Sequence, residues 1–385
     1  MSSQPNLTMS ASLNAAAIDL DVPVARIGFS ELAGWAEDDH AAAFAAFRKG
    51  CPIVVERPPK RRKIDVDGAQ FARICGEALA LPETLERDQA RAFFETWFDP
   101  HRAGSGNDAF FTGYFEPEVA GSRERGGAYQ YPLYRRPKDL VKIDKTNRPP
   151  ELDPAVRFAR QTDDGVVAYF ERREIESGAL DGLVLELFWL ARPIDAFFVH
   201  VQGSARIRLT DGSLMRVAFD GKSGHDYTSI GRVLVGGGAL SEAEASMETI
   251  RAWLAAHPDA AREVMWQNRS FIFFRVTDVP SEDLGPIGAA GIALTAERSL
   301  AVDRSWHPFH VPVWVDVELP IGPAGAFRRH RRLTVAQDTG SAIVGPARGD
   351  IFFGSGEEAG ALAGRVKHFG DLVVLVPRMV PRDAP

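Results

Sequence analysis

Cysteine is scarce in this 385-residue chain: there are two, Cys51 and Cys75. No Cys-x-x-Cys pair occurs, which argues against a thiolate zinc site and a disulfide-framed fold. One disulfide or two buried thiols both fit the pair. No run of 18 apolar residues is present, so no transmembrane helix is expected. Residues 1–25 lack a basic segment followed by an apolar one, so no secretory signal is visible, and this stretch reads as a loose arm. Positive charge is not in excess. The net charge of -7 argues against nucleic acid as a partner. The one basic tract, Lys60-Arg61-Arg62-Lys63, reads as a solvated loop behind Pro58-Pro59. Gly236-Gly237-Gly238 lacks the Gly-Lys-Ser/Thr ending of a phosphate loop.

The length suggests two domains. The first 100 residues read as helical, over 30–49, 69–81 and 83–97. A β-rich texture follows. Residues 110–118, 194–201 and 205–209 read as strands, and Asp211-Gly212 turns a hairpin into 214–216. Glu171 to Ser177 reads as a short helix, and Ser241 with Glu244 forms a capping box for one running to about His257. Short strands are then expected at 270–276, 291–294, 311–317, 332–336, 350–353 and 372–376, a spacing that suits a small barrel.

Chemistry is carried by aspartates. Asp338-Thr339-Gly340-Ser341 resembles an aspartic-protease tetrapeptide. Such a protease needs two of these loops so that two carboxylates share a proton. Only one is present, with 47 residues after it (385 minus 338), too few to complete a lobe. Asp350 opens an apolar run, Ile351-Phe352-Phe353. Burial there raises a carboxyl pKa and lets the group carry a proton to a leaving oxygen. Asp303 is a third acid at a strand-to-turn junction. All three also suit simple turn-capping. His307 and His310 flank Pro308-Phe309, and with no third ligand no metal is expected.

Three segments fit the pattern of the three-aspartate "3D" domain: Ala301-Val302-Asp303-Arg304-Ser305, Ala336-Gln337-Asp338-Thr339-Gly340 and Gly349-Asp350-Ile351-Phe352-Phe353-Gly354. Upstream, 111–117, 131–137, 201–205, 221–231, 268–274 and 285–289 follow in the order of the membrane-bound lytic transglycosylase A family, which the chain resembles over roughly residues 105–378. That resemblance implies a mainly β fold with a helical N-terminal part (α+β). Its double-psi β-barrel domain is assembled from 26–116 and 273–385. A second β-rich domain, 117–272, is inserted, with a groove between the two. It implies cleavage of the β-1,4 bond between N-acetylmuramic acid and N-acetylglucosamine in peptidoglycan, leaving a 1,6-anhydro sugar and needing no cofactor. Asp350 matches the family's catalytic aspartate, and Asp338 is expected to assist it. Substrate contacts are expected from Thr112, Gly113, Tyr114, Gln202, Gly203, Ser204, Lys222, His225, Tyr227, Asp303 and Gly354. Gly113 would admit a sugar close to the backbone. Trp189, Phe197 and Phe198 read as core.

The implied partner is the peptidoglycan glycan strand, with other cell-wall enzymes as further associates of an otherwise monomeric protein. The implied compartment is the periplasm, with outer-membrane association. No lipid-bearing cysteine lies near residue 1. A non-catalytic wall-binding module is the competing expectation, and the acid at position 350 separates the two.

Overall fold

A computed structural model describes residues 24–154, 156–242, 244–277 and 284–379. The expected arm, 1–25, lies outside them except for the start of strand β1 (Val24–Arg26). Three helices follow: α1 (His40–Glu56), α2 (Gly68–Ala80) and α3 (Arg87–Trp97). Asp39 caps α1 by accepting from Ala42 N at 3.1 Å, and Asp67 caps α2 by accepting from Gln70 N at 2.8 Å. The helical periodicity expected from residue 30 is broken by Gly34 at φ 79, leaving two short 3-10 turns before α1. Cys51 and Cys75 are free, buried thiols between α1 and α2.

Strands β2 (Phe98–Ala103) and β3 (Ala109–Glu116) come next. The chain then builds a separate six-stranded sheet from β4 (Glu118–Ser122), β5 (Tyr131–Tyr134), β9 (Glu186–Leu190), β10 (Ser204–Leu209), β11 (Leu214–Lys222) and β12 (Ile272–Thr277). A three-stranded sheet, β6 (Leu140–Lys142), β7 (Phe158–Thr162) and β8 (Gly165–Val167), lies between β5 and β9 in sequence. Helices α4 (Arg172–Glu174), α5 (Pro193–Gln202), α6 (Ile230–Gly236), α7 (Met247–Ala256) and α8 (Pro258–Trp266) fill the connections.

The chain returns to β13 (Ser299–Val302), β14 (Pro312–Leu319), β15 (Arg328–Asp338), β16 (Arg348–Ser355), α9 (Gly356–Ala363) and β17 (Lys367–Pro377). Strand order β17-β14-β15-β13-β16-β3, with β3 pairing back to β17, closes a six-stranded barrel. The fold is therefore mixed α+β, with a closed barrel. The helices α1–α3 share one hydrophobic core with the barrel strands. Trp35 meets Trp314 edge-on at 5.3 Å, and buried Asp38 accepts both guanidinium nitrogens of Arg298, at 2.8 and 3.0 Å. Strand β14 is buried on both faces over Pro312–Val317, so its Val-rich run shows little polar alternation.

Several elements differ from the sequence expectation. Residues 194–201 form helix α5, because Pro193 starts it, Asp195 holds Arg192 at 2.7 Å and Gly203 at φ 78 ends it. An apolar run this short does not separate helix from strand. Ser241 and Glu244 do cap each other, but the next helix starts at Met247 under a second cap, Ser246 with Thr249. Gly236-Gly237-Gly238 lies at the C-terminal end of α6. Residues 291–294 supply only one bridge, Ile287 to Ala293.

One buried cluster ties the barrel to the inserted sheet. Glu116, fully buried at the end of β3, accepts from Arg206 Nε of β10 at 3.0 Å and from Arg216 Nε of β11 at 2.6 Å. Ser355 Oγ of β16 donates to it at 2.8 Å. Both arginines also donate to the Leu284 carbonyl, where the chain re-enters the barrel, at 3.2 and 2.7 Å. Glu116→Ala leaves two buried guanidinium groups without their counter-charge. A loss of about 3–5 kcal/mol is expected, read by denaturant unfolding; a loss below 1 kcal/mol would contradict this.

Candidate active site

Barrel register sets four residues side by side. Ala301 of β13 pairs with Asp338 of β15 on one side and with Asp350 of β16 on the other. Asp350 in turn pairs with Thr112 of β3. β13 and β15 shift register at the Ala301–Asp338 pair, and Thr112 and Tyr114, two apart on β3 and so on one face, bond Asp350 and Asp338 respectively. Two strand spacings put the aspartate Cα atoms about 10 Å apart. The small side chain of Ala301 lies between them.

Asp350 Oδ1 accepts from Thr112 Oγ1 at 2.5 Å, and Thr112 Oγ1 accepts from Arg348 Nη2 at 2.7 Å. Arginine only donates, so this order fixes the threonine proton on Asp350. Oδ2 of Asp350 has no partner among the described residues. Asp338 is held more firmly: Oδ1 accepts from Ala289 N and Thr339 N, each at 2.9 Å, and Oδ2 accepts from Tyr114 OH at 3.0 Å. Tyr114 also packs on Phe352, ring centroids 5.2 Å apart.

Burial raises the pKa of Asp350; Arg348 and the Thr112 hydrogen bond pull it back, and Asp338 adds a smaller push upward. Burial likewise raises Asp338, opposed by its three donors. Asp338 thus offsets burial with three hydrogen-bond donors, and Asp350 with the Arg348 cation and one donor. Burial lifts the Tyr114 phenol well above its usual range, with both aspartates contributing, so it stays a donor. Burial lowers Arg348, and Asp350 opposes that.

The other expected contacts divide into groups. Gln202, the last residue of α5, accepts from Phe115 N at 3.3 Å, which sets 202–204 against β3 just past Tyr114. Gly203 faces open space and Ser204 is buried. A Cβ on Gly113 would lie 2.8 Å from the Ala363 Cα, so the close approach this glycine permits is that of α9. Gly354, at φ 111, lies where β16 and β3 lose register. Asp303 accepts from Ser305 N at 2.8 Å and Gly345 N at 2.7 Å, fixing the turn after β13 to the loop after Asp338. Lys222, His225 and Tyr227 lie in the inserted segment, where His225 Nε2 meets the Tyr169 carbonyl at 2.7 Å. None of the three bonds to the aspartate row among the described residues. Arg348 was not anticipated from sequence; its spacing of two from Asp350 on a strand was the available signal.

The pKa shift has a stability consequence. A carboxyl with a raised folded-state pKa holds its proton longer when folded than unfolded. Its contribution is therefore lost as pH rises through the raised value. Asp350→Asn removes that slope, so its melting temperature is expected to exceed the parent's at pH 8 and to match it more closely at pH 4. Parallel melting curves for the two proteins across this range would contradict the shift.

The description "MltA specific insert domain" matches residues 110–275, and "3D domain" matches 298–376. Membrane-bound lytic murein transglycosylase A of Vibrio cholerae is 37% identical over 217 residues, 56% of this chain and 58% of that protein. The Escherichia coli K12 protein of the same name is 35% identical over 256 residues, 65% of this chain and 61% of its own length. The chain thus spans about three fifths of these curated relatives. The crystal structure of the membrane-bound lytic murein transglycosylase from Agrobacterium tumefaciens superposes with a TM-score of 0.84 at 40% identity, covering 92% of this chain and 98% of that one. Escherichia coli MltA with bound chitohexaose superposes with a TM-score of 0.64 at 27% identity, covering 94% of each. At that coverage and identity, and with both domain descriptions in order along it, this chain belongs to the membrane-bound lytic murein transglycosylase A family.

Proposed function

We propose that this protein is a peptidoglycan lytic transglycosylase that works with one acid, Asp350. The observation that carries the reading is the asymmetry of that carboxyl: Oδ1 is held by Thr112, and Oδ2 is left for a ligand. Oδ2 delivers its proton to the glycosidic oxygen between N-acetylmuramic acid and N-acetylglucosamine as the C1–O bond breaks. The C6 hydroxyl of the muramic acid sugar then attacks C1 and returns its proton to Asp350. Bond count and charge balance, and the 1,6-anhydro product follows. The nucleophile is already on the substrate at high effective molarity, so no activated water or second carboxylate base is needed. Asp338, held by three donors, lies where negative charge would stabilise the developing positive sugar ring.

Glycan binding is supported by the relative that carries chitohexaose. Within this reading the barrel, of double-psi form, comprises 26–116 and 273–385, and 117–272 is the inserted domain. The glycan lies in the groove between them, with 112–114 and 202–204 along one wall. Gly354 and Asp303 line or shape the floor, and Lys222, His225 and Tyr227 meet the strand farther out. The substrate assigns the protein to the periplasm, and its relatives are named membrane-bound. No helix among the described residues is long and apolar enough to cross a membrane.

Asp350→Asn is expected to lower cleavage of purified sacculi about 10²–10⁴-fold while sacculus binding persists. Mass spectrometry of the parent's products should give ends lighter by one water than hydrolysed ends. Hydrolysed ends would overturn the anhydro step, and bound sacculi without products would favour a wall-binding module. Activity should fall as pH rises through the raised pKa of Asp350, because the acid must be protonated. Thr112→Val removes a hydrogen bond that lowers this pKa, so the alkaline limb of its rate profile should move to higher pH. An unmoved limb would separate Thr112 from the titration.

A further inference from the structure

The basic loop after α1, Lys60-Arg61-Arg62-Lys63, is exposed as expected. It forms one wall of a cleft of about 620 Å³, with α1 and the segments 289–291 and 304–310 completing it. Arg57, Lys60, Arg62 and Arg304 line this cleft, and no acid does. Lys60, Arg62 and Arg304 form no ion pair among the described residues, and their side chains are exposed. In a protein of net charge -7 this is a local reversal of sign. The two lining histidines, His307 and His310, are lowered to about 4 by burial and add no charge at neutral pH. Ile53, Val54, Pro308 and Phe309 supply apolar surface beneath the cations. Concave shape, apolar floor and cationic rim together suit a small organic anion with apolar groups.

The cleft adjoins the aspartate row. Ala289, on its lining, donates its N–H to Asp338 at 2.9 Å. Its neighbour Ala290 donates to the Gln337 carbonyl at 3.1 Å, and His310 N donates to the Ala336 carbonyl at 2.7 Å. The inner wall is therefore bonded to the last three residues of β15. Through Ala289 the cleft wall and Asp338 are in direct contact.

We infer that this basic cleft holds the anionic stem peptide carried on the lactyl group of the muramic acid sugar. The inference rests on the proposed peptidoglycan reaction. Its carboxylates meet Lys60, Arg62 and Arg304, and its alanine methyls lie on the apolar floor.

The test uses soluble glycan strands prepared with and without stem peptides. Binding and initial rates are compared for the parent and for the Lys60→Glu/Arg62→Glu/Arg304→Glu variant. For peptide-bearing strands Kd and KM are expected to rise roughly tenfold in the variant, the scale of several exposed charge contacts. For peptide-free strands both constants should stay unchanged, as should the melting temperature. Equal changes on the two strands, or none, would overturn the cleft's role. Binding is also measured in the Asp350→Asn background, so the cleft is scored even if the parent cleaves neither strand; that failure would count against the reaction alone. Loss of adhesion to phosphatidylglycerol vesicles, with strand discrimination intact, would assign the cations to a lipid surface and overturn the inference.

Discussion

Everything in this molecule hangs on how the barrel strands are interrupted by a separate sheet and then completed. Glu116 is the residue where the chain leaves, and Leu284 lies where it returns. Two arginines from the inserted sheet clamp both points at once. Placed in the interior, that carboxylate would be costly alone, and so would each guanidinium. Together with Ser355 they satisfy one another and leave one geometry in which all are paired. The clamp lies two residues beyond Tyr114 on β3 and five beyond Asp350 on β16, so it fixes those strands at the end nearest the aspartates.

The site itself is a consequence of strand order and register. Asp338, Ala301, Asp350 and Thr112 come from four neighbouring strands of the barrel, β15, β13, β16 and β3. A small residue between the acids keeps them apart, and their unequal donor sets separate their roles. Burial raises both carboxyls, yet Asp338 has three donors and Asp350 one. Their surroundings therefore differ although both carboxyls are buried. Arg348 acts through Thr112, ordering a hydroxyl whose proton then points at the acid.

Much of this was legible in the residues. The strands 332–336, 350–353 and 372–376 lie inside observed strands, 311–317 matches β14 from Pro312 on, and the hairpin at Asp211-Gly212 forms as its turn chemistry dictates. The failures have physical causes. Residues 194–201 are apolar enough for either period, and the Pro193 start and Gly203 stop decided for a helix. Ser241 and Glu244 made their hydrogen bonds without a helix to cap, because a second cap competed five residues later. Gly113 is required by the close packing of α9 and Phe353 against it, a contact no local pattern announces.

By itself the sequence determined the inventory: which acids stand at strand ends, which residues alternate, and which glycines can turn. Those are local properties, set by neighbours within a few residues. Only the tertiary structure decided which groups face one another. Thr112 and Asp350 lie 238 positions apart, and Arg298 and Asp38 lie 260 apart. No local propensity encodes such pairs. The first follows from strand register, where one residue of slip would turn the acid to the opposite face, and the second from the packing of the helical segment on the barrel.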